Sequence, residues 1–248
     1  MHGYLGLVVP VAREDEACVL KVSWADESTA HEMAALAAWD GRGAVRLLAA
    51  DPGRRAMLLE RLDASRSLAS VPIGEAMRVA AGLVRRLSVP GPPGLPLLSD
   101  VAGGLAESIP ARWESLGRPI PRRQIDAARE VCRALGPPAG SWLVNWDLHY
   151  ENVLASEREP WLAVDPKALV GDPEYGPAQL LWTRLEEIEA SGGLAHSFAA
   201  LVHGAGLDAA RARAWTLVRC VDYCLWAIGA GLTDDPVRCE RIAEWLLE

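Results

Sequence analysis

A chain of 248 residues with 25 Lys+Arg against 33 Asp+Glu carries a formal net charge of −8, a balance that argues against nucleic acid as a partner. Half of its residues are hydrophobic, which excludes disorder and leaves ample core for one large domain or two small ones. No apolar run approaches the roughly 18 residues that cross a bilayer, and the opening "MHGYLGLVVPVARED" lacks the basic region and small-residue cleavage site of a signal peptide, so a cytoplasmic protein with no membrane partner is expected.

The first sixty residues read as strands around one helix. "LGLVVPV" is a short apolar run, "EDE" a turn, and "ACVLKV" a second strand alternating around Lys21. "STAHEMAALAAW" has helical spacing, with Ser28 or Thr29 as N-cap, Glu32 near the first turn, and Gly41 and Gly43 as the stop. "AVRLLAAD" and "RAMLLERL" follow as two strands joined by "PGRR". "MLLERLD" then stands where a hinge is expected, and its residues fit either backbone groups from Glu60 to Leu62 that hydrogen-bond an adenine edge or an ordinary buried strand.

After Glu60 the texture is helical, over 73–88, 99–116, 122–135, 177–190, 207–230 and 236–247. Only 142–165 interrupts it, with three short apolar runs, "SWLV", "NVLA" and "WLAV". This predicts an α+β molecule of two lobes: residues 1–62 as a small β-rich lobe, a hinge near 60–64, and 65–248 as a larger helical lobe with an embedded hairpin. A cleft between lobes is a favoured place for a ligand. Five scattered cysteines, Cys220 and Cys224 one helical turn apart, have no matching ligand pair and read as buried thiols.

The stretch "NWDLHYENVL" carries the chemistry. Asp147 follows the first run, Asn152 opens the second and Asp165 closes the third. If the last two runs pair, Asn152 and Asp165 meet at one end of a hairpin, and an amide with a carboxylate suits Mg²⁺ that shares phosphate oxygens. Asp147 faces the same point and is placed to take a proton from a hydroxyl. Phosphoryl transfer from ATP needs this set, since it asks for positioning and charge neutralisation more than covalent chemistry. Asp-x-x-x-x-Asn followed by a further Asp is also the catalytic-loop spacing of protein kinases. Lys21, flanked by apolar residues, needs an anion, and Glu32 on the next helix or an ATP phosphate supplies one. Taken singly, a snorkelling lysine and a surface glutamate fit as well; their order before the Asp–Asn–Asp set favours the kinase arrangement. Residues 142–190 hold ten acids and three bases, nearly all of the net charge. That segment is either a solvated acidic surface or a cleft that attracts cations.

"WDLHYENVLASEREPWLAVDPKALVGDP", with "GRGAVRLL" and "MLLERLDASRSLASV", resembles the aminoglycoside phosphotransferases, in the streptomycin 6-phosphotransferase branch grouped with hydroxyurea kinases. The likeness runs from about Leu7 into "AWTLVRCVDYCLWAI". It implies a protein-kinase-like fold and ATP-dependent O-phosphorylation of a small cationic antibiotic. It makes Asp147 the catalytic base and Asn152 and Asp165 the Mg²⁺ ligands. Lys21 contacts the nucleotide phosphates, paired with Glu32, and His149 supports the loop. Glu151 and Asp172 are candidates to face the substrate, Asp172 alternatively starting a turn or capping the next helix.

Three departures from the family pattern stand out. Asn145 replaces a histidine, with a modest effect expected because Asn also hydrogen-bonds locally. Gly176 replaces an aspartate that braces the catalytic loop in relatives. The chain starts almost at the relatives' second strand, leaving Gly3 and Gly6 as the tail of a phosphate-covering loop and implying an exposed sheet edge. Three readings follow: a streptomycin 6-kinase, a kinase of another small antibiotic or of hydroxyurea, and a kinase-like binding protein with little turnover. The sequence leaves the oligomeric state open.

Overall fold

The computed structural model describes residues 2–3 (backbone only), 6–14, 16–24 and 31–248. The candidate caps Ser28 and Thr29 lie outside these residues, as does Asp15 in the expected turn. A five-stranded antiparallel sheet opens the molecule: β1 His2–Gly3, β2 Gly6–Arg13, β3 Glu16–Ser23, β4 Leu47–Asp51 and β5 Ala56–Glu60, in spatial order β1-β2-β3-β5-β4. Lys21 is therefore on the third and central strand, not the second. It lies opposite Val8 of β2 and Met57 of β5. The register decides its surroundings, because opposed residues share a face. Val8, Val19 and Leu59 come to the same side as Lys21, so an ammonium is built into an apolar wall. At the sheet's edge, β1 covers the start of β2, with Gly3 opposite Gly6.

Between β3 and β4 runs α1, Glu32–Trp39. Ala35, Leu36 and Trp39 are fully buried on one side of it. The indole N–H of Trp39 donates to the Leu87 carbonyl at 2.8 Å, tying this helix to the helical part of the chain. The helix stops at Asp40, in left-handed backbone with φ 48°, and Gly41 continues with φ 74°. Glycine is suited to that conformation because it has no Cβ to clash.

The remainder is mainly helical: α2 Ile73–Leu87, α3 Leu98–Ser115, α4 Arg122–Leu135, α5 Gln179–Trp182, α6 Leu185–Ala190, α7 Leu194–Ala205, α8 Ala209–Gly229 and α9 Asp234–Leu246. α8 is N-capped by Asp208, whose carboxylate accepts from the Arg211 N–H at 2.8 Å. All five cysteines are free and buried. Among the described residues, no helix is long and apolar enough to cross a membrane.

Set into this helical body are two small antiparallel sheets. β7 Trp142–Asn145 pairs with β10 Ala168–Gly171, and β6 Asp63–Ser67, β8 Val153–Ala155 and β9 Trp161–Ala163 form the other in the order β6-β8-β9. β9 also bonds the first part of the chain. The Val45 N–H donates to the Ala163 carbonyl at 2.8 Å, and the Ala163 N–H to the Gly43 carbonyl at 3.0 Å.

Four elements differ from the expected pattern. β6, "DASRS", has no apolar alternation and forms because β8 offers it an open edge. β10, "ALVG", is buried at all four positions, so it shows a continuous apolar run instead of a two-residue period. α7 begins after Gly192 and Gly193, both at positive φ, a pair that reads as loop. The expected helix 177–190 is broken at Arg184, whose backbone is non-helical. There its guanidinium donates to the carbonyls of Val71 at 2.9 Å and Leu68 at 3.2 Å and lies 5.1 Å over the Tyr150 ring.

Candidate active site

A cavity of about 240 Å³ lies under the first sheet. Gly6, Val8, Val19, Val45, Leu59 and Leu62 form one apolar wall, and Leu154 and Val164 of the β8–β9 hairpin the other. Gly6 has no room for a side chain, since a Cβ there would stand 2.8 Å from the Val22 carbonyl oxygen. One end of the cavity is polar, with Lys21, Glu32, Asn152 and Asp165.

The Lys21 ammonium donates to both oxygens of Glu32 at 2.7 Å and to Asp165 at 2.5 Å. It is only 7% exposed and Glu32 only 1%, so the pair is desolvated. Burial opposes the charge on Lys21, yet Glu32 and Asp165 together raise its pKa above the ordinary value. The same burial pushes the Glu32 carboxyl up to about 7, outweighing the lowering by Lys21. Asp165, by contrast, is exposed to the cleft, with φ 50°. Left-handed backbone is uncommon for a residue with a Cβ and marks a site where surrounding structure fixes an unfavourable conformation.

The hairpin ladder sets Asn152 beside Asp165, because the Val164 N–H donates to the Asn152 carbonyl at 2.8 Å. The Asn152 side-chain amide N–H reaches the Asp147 carbonyl at 3.4 Å, which leaves its amide oxygen as the free acceptor. An amide oxygen and an exposed carboxylate at the polar end of one cavity suit a small hard cation that keeps water and phosphate ligands.

Asp147 lies in the loop after β7. Its N–H is held by the Asn145 side-chain oxygen at 3.1 Å, so the asparagine at 145 does hydrogen-bond the loop. Its carboxylate meets Lys167 at 3.2 Å. His149 is largely enclosed, and burial lowers its pKa against the opposing pull of Asp147, Glu151 and Asp165. Glu151 is exposed beside Asn152.

Two expected site residues are differently occupied. The Glu60 carboxylate bonds Arg158 at 2.6 Å and the Arg46 N–H at 2.7 Å. Burial raises its pKa, but these donors outweigh it and the net shift is downward. The Glu60 N–H is also taken, by the Arg46 carbonyl at 3.0 Å, so any contact to a ligand must come from its carbonyl or from Leu62.

Asp172 does not face a cleft substrate, and this corrects the expectation for it. It is 4% exposed and accepts from the Gly140 N–H at 2.7 Å, the Trp215 indole at 2.7 Å and the Arg211 guanidinium. With its oxygens consumed inside the fold, it anchors α8 to the β10 end. Its carbonyl does start the turn over 173–175, accepting the Tyr175 N–H at 3.1 Å, while its side chain makes no capping bond.

The acidic segment as a whole is mostly paired. Glu159, Glu186, Glu187 and Glu189 bond Arg86, Arg238, Arg184 and Arg241, and Glu174 accepts from the Asp208 N–H. The excess charge is largely an arginine-laced surface, and Asp147, Glu151 and Asp165 are what remains at the cleft.

Sequence reasoning missed Lys167 and Arg219. Arg219, from α8, is buried and donates to the Trp146 carbonyl at 3.0 Å, with its guanidinium over the rings of Trp146, Tyr175 and Trp182. It braces the loop beside Asp147. No room for an aspartate exists at 176, where a Cβ would lie 2.9 Å from the Asn145 carbonyl oxygen. Gly176→Asp is therefore expected to destabilise the protein by about 1–3 kcal/mol through overpacking, seen as a lower Tm. An unchanged or higher Tm would show that the loop opens to accept the side chain.

This geometry accompanies a clear relationship. Residues 1–231 match the family model described as aminoglycoside/hydroxyurea antibiotic resistance kinase. The chain belongs to that family. Among curated relatives of this kinase, the streptomycin 6-kinase of Streptomyces griseus is 47% identical over 239 residues, covering 93% of this chain and 78% of the relative. The hydroxyurea phosphotransferase of Kitasatospora aureofaciens is 45% identical over 253 residues, covering 100% and 73%. In fold the kinase is similar to a thermostable mutant of aminoglycoside phosphotransferase APH(4)-Ia in ternary complex with ADP and hygromycin B, at TM-score 0.64 and 15% identity over 99% of this chain and 91% of that one. It is also similar to choline kinase LicA from Streptococcus pneumoniae, at TM-score 0.64 and 13% identity over 100% and 92%. The fold is protein-kinase-like, with the sheet first and the helical part after it.

Proposed function

We propose that this kinase transfers the γ-phosphoryl group of ATP to a hydroxyl of an aminoglycoside, with the streptomycin 6-hydroxyl as the acceptor, and so inactivates the drug. The observation that carries this reading is the convergence of Lys21, Glu32, Asn152 and Asp165 at the polar end of one apolar cavity, with Asp147 hydrogen-bonded to Asn152. In this reading residues 1–62 are the nucleotide-binding lobe, the hinge falls near 60–64, and 65–248 carry catalysis and the acceptor site. The adenine lies between the apolar walls against backbone near Leu62. Lys21 turns from Asp165 toward the phosphates while Glu32 holds its ammonium.

Asn152 and Asp165 would hold Mg²⁺, which when bound supplies charge neutralisation at the phosphates. Asp147 takes the proton of the acceptor hydroxyl. As that oxygen bonds to phosphorus, the bond from phosphorus to the leaving ADP oxygen breaks, and its electron pair stays with ADP. Glu151, exposed at the cleft, is the carboxylate placed for a cationic acceptor. A second opening of about 440 Å³, lined by Trp146, Arg219 and Asp222 among others, adjoins the residue before Asp147 and offers the acceptor a route in.

Mass spectrometry of streptomycin after incubation with the protein and Mg·ATP tests the reading, with one added phosphoryl group expected. Hydroxyurea is the second acceptor to include, because a relative named for it is 45% identical over the whole chain. Binding of streptomycin with no mass change in either compound would overturn the enzyme reading in favour of a kinase-like binding protein.

A further inference from the structure

The chain has 25 Lys+Arg, yet only two of these are lysines, Lys21 and Lys167. Arginine serves every other basic position. Both lysines meet carboxylates of the candidate site: Lys21 those of Glu32 and Asp165, and Lys167 that of Asp147 at 3.2 Å. Lysine differs from arginine in being a compact point charge on a flexible stem, suited to following one oxygen and not to holding a fixed planar fork.

Lys167 is well placed for such a task. Its backbone is fixed, since its carbonyl accepts the Trp146 N–H at 3.0 Å and β10 begins at the next residue. Its ammonium lies 5.2 Å from the centre of the Trp146 ring, and its side chain keeps a quarter of its surface open. A cation touching the carboxylate that takes the acceptor's proton is necessarily close to the attacking oxygen, and so to the phosphorus under attack. The phosphoryl group in transfer spreads negative charge over three oxygens. On the nucleotide side Lys21 answers that charge. On the acceptor side, Arg219 is pinned to the Trp146 carbonyl, which among the described residues leaves Lys167 as the cation beside Asp147 that is able to move.

We propose that Lys167 is a catalytic residue of the transfer: its ammonium leaves the Asp147 carboxylate for the γ-phosphoryl oxygens and stays with that group as it moves to the acceptor. Lys167 remains protonated throughout. The acceptor proton goes to Asp147, one O–P bond forms and one breaks, and the released pair stays on ADP. This step rests on the phosphotransferase reading above.

The test compares the full-length wild type with Lys167→Met and Lys167→Arg. Steady-state kcat and KM are measured, together with calorimetric affinities for ADP and for a non-hydrolysable ATP analogue, both with Mg²⁺. Removing one preorganised charge from a transition state typically costs about 10²–10³ in kcat, and that loss is expected for Lys167→Met, with partial recovery in Lys167→Arg. The methionine variant is also expected to bind the analogue about 10-fold more weakly while ADP affinity holds, since only the analogue has the third phosphoryl group. An equal weakening of ADP and analogue, a kcat within about 3-fold of wild type, or full recovery of analogue affinity in the double variant Lys167→Met, Asp147→Asn overturns the proposal, because a lysine that merely neutralises Asp147 is not missed once that charge is gone. If the wild type itself fails to bind nucleotide, the kinase reading falls first; if the wild type binds and turns over while Lys167→Met matches it, only the role of Lys167 falls.

Discussion

Asp147→Asn is expected to lower phosphate transfer by about 10²–10⁴-fold while the protein stays folded and binds Mg·ATP. The side chains are nearly isosteric, and the loop is held by groups the substitution leaves alone. The Asn145 side chain still accepts the backbone N–H of residue 147, Asn152 still reaches its carbonyl, and Arg219 still holds Trp146. What disappears is the oxygen that takes the acceptor's proton, a contribution of about 10²–10⁴ for a positioned base. The ion pair with Lys167 also goes; both side chains are mostly covered, so its loss is expected to cost somewhat more than the about 1 kcal/mol of an exposed pair, still small against the about 5–15 kcal/mol that holds a domain folded. Turnover by the variant within about 10-fold of wild type would remove Asp147 as the base. A matching loss of nucleotide affinity would instead assign it to binding.

The meeting of Lys21 with Glu32 is legible in the sequence through order and not through either residue alone. A strand lysine can snorkel and a glutamate in a first helical turn is ordinary, but the two stand in the kinase order before the Asp–Asn–Asp set. The β8–β9 hairpin is legible from its pattern, since two apolar runs with a polar turn between them have few other ways to pair. Lys167 offers no such cue: a lysine after a proline near the surface is ordinary, and only the fold brings it to Asp147. Arg219 is hidden by context as well, one arginine in a helix already holding Arg211 and Arg213. Asp172 shows the opposite error. Its place in an acidic, motif-rich stretch suggested the cleft, whereas burial and three internal donors decide its role. Charge counts along a chain do not record the arginines that return from α8 and α9 to pair with them.

Lys21→Met is the other substitution with a large expected effect, and it separates binding from stability. Loss of the ammonium removes the cation that the nucleotide phosphates need, so affinity for Mg·ATP is expected to fall about 10-fold or more, with turnover down about 10²–10³-fold. Stability changes with pH. Glu32, only 1% exposed, loses the partner that lowered its pKa, so its carboxyl rises beyond the about 7 it has in the wild type. The unfolded chain returns it to the ordinary value of 4.5. Between those two values the folded protein binds more protons than the unfolded one, so stability falls as pH rises through that window. Lys21→Met is therefore expected to melt at a lower temperature at pH 8 than at pH 6, with a steeper drop than wild type. Breaking a buried pair by removing one partner costs about 3–5 kcal/mol once the remaining group is charged. The double variant Lys21→Met, Glu32→Gln removes that buried charge. It should recover most of the lost Tm at pH 8 and flatten its pH dependence, while nucleotide binding stays weak. Full recovery of nucleotide binding in the double variant would show that Lys21 acts only by neutralising Glu32, and a flat pH dependence in the single variant would show that Glu32 has found another donor.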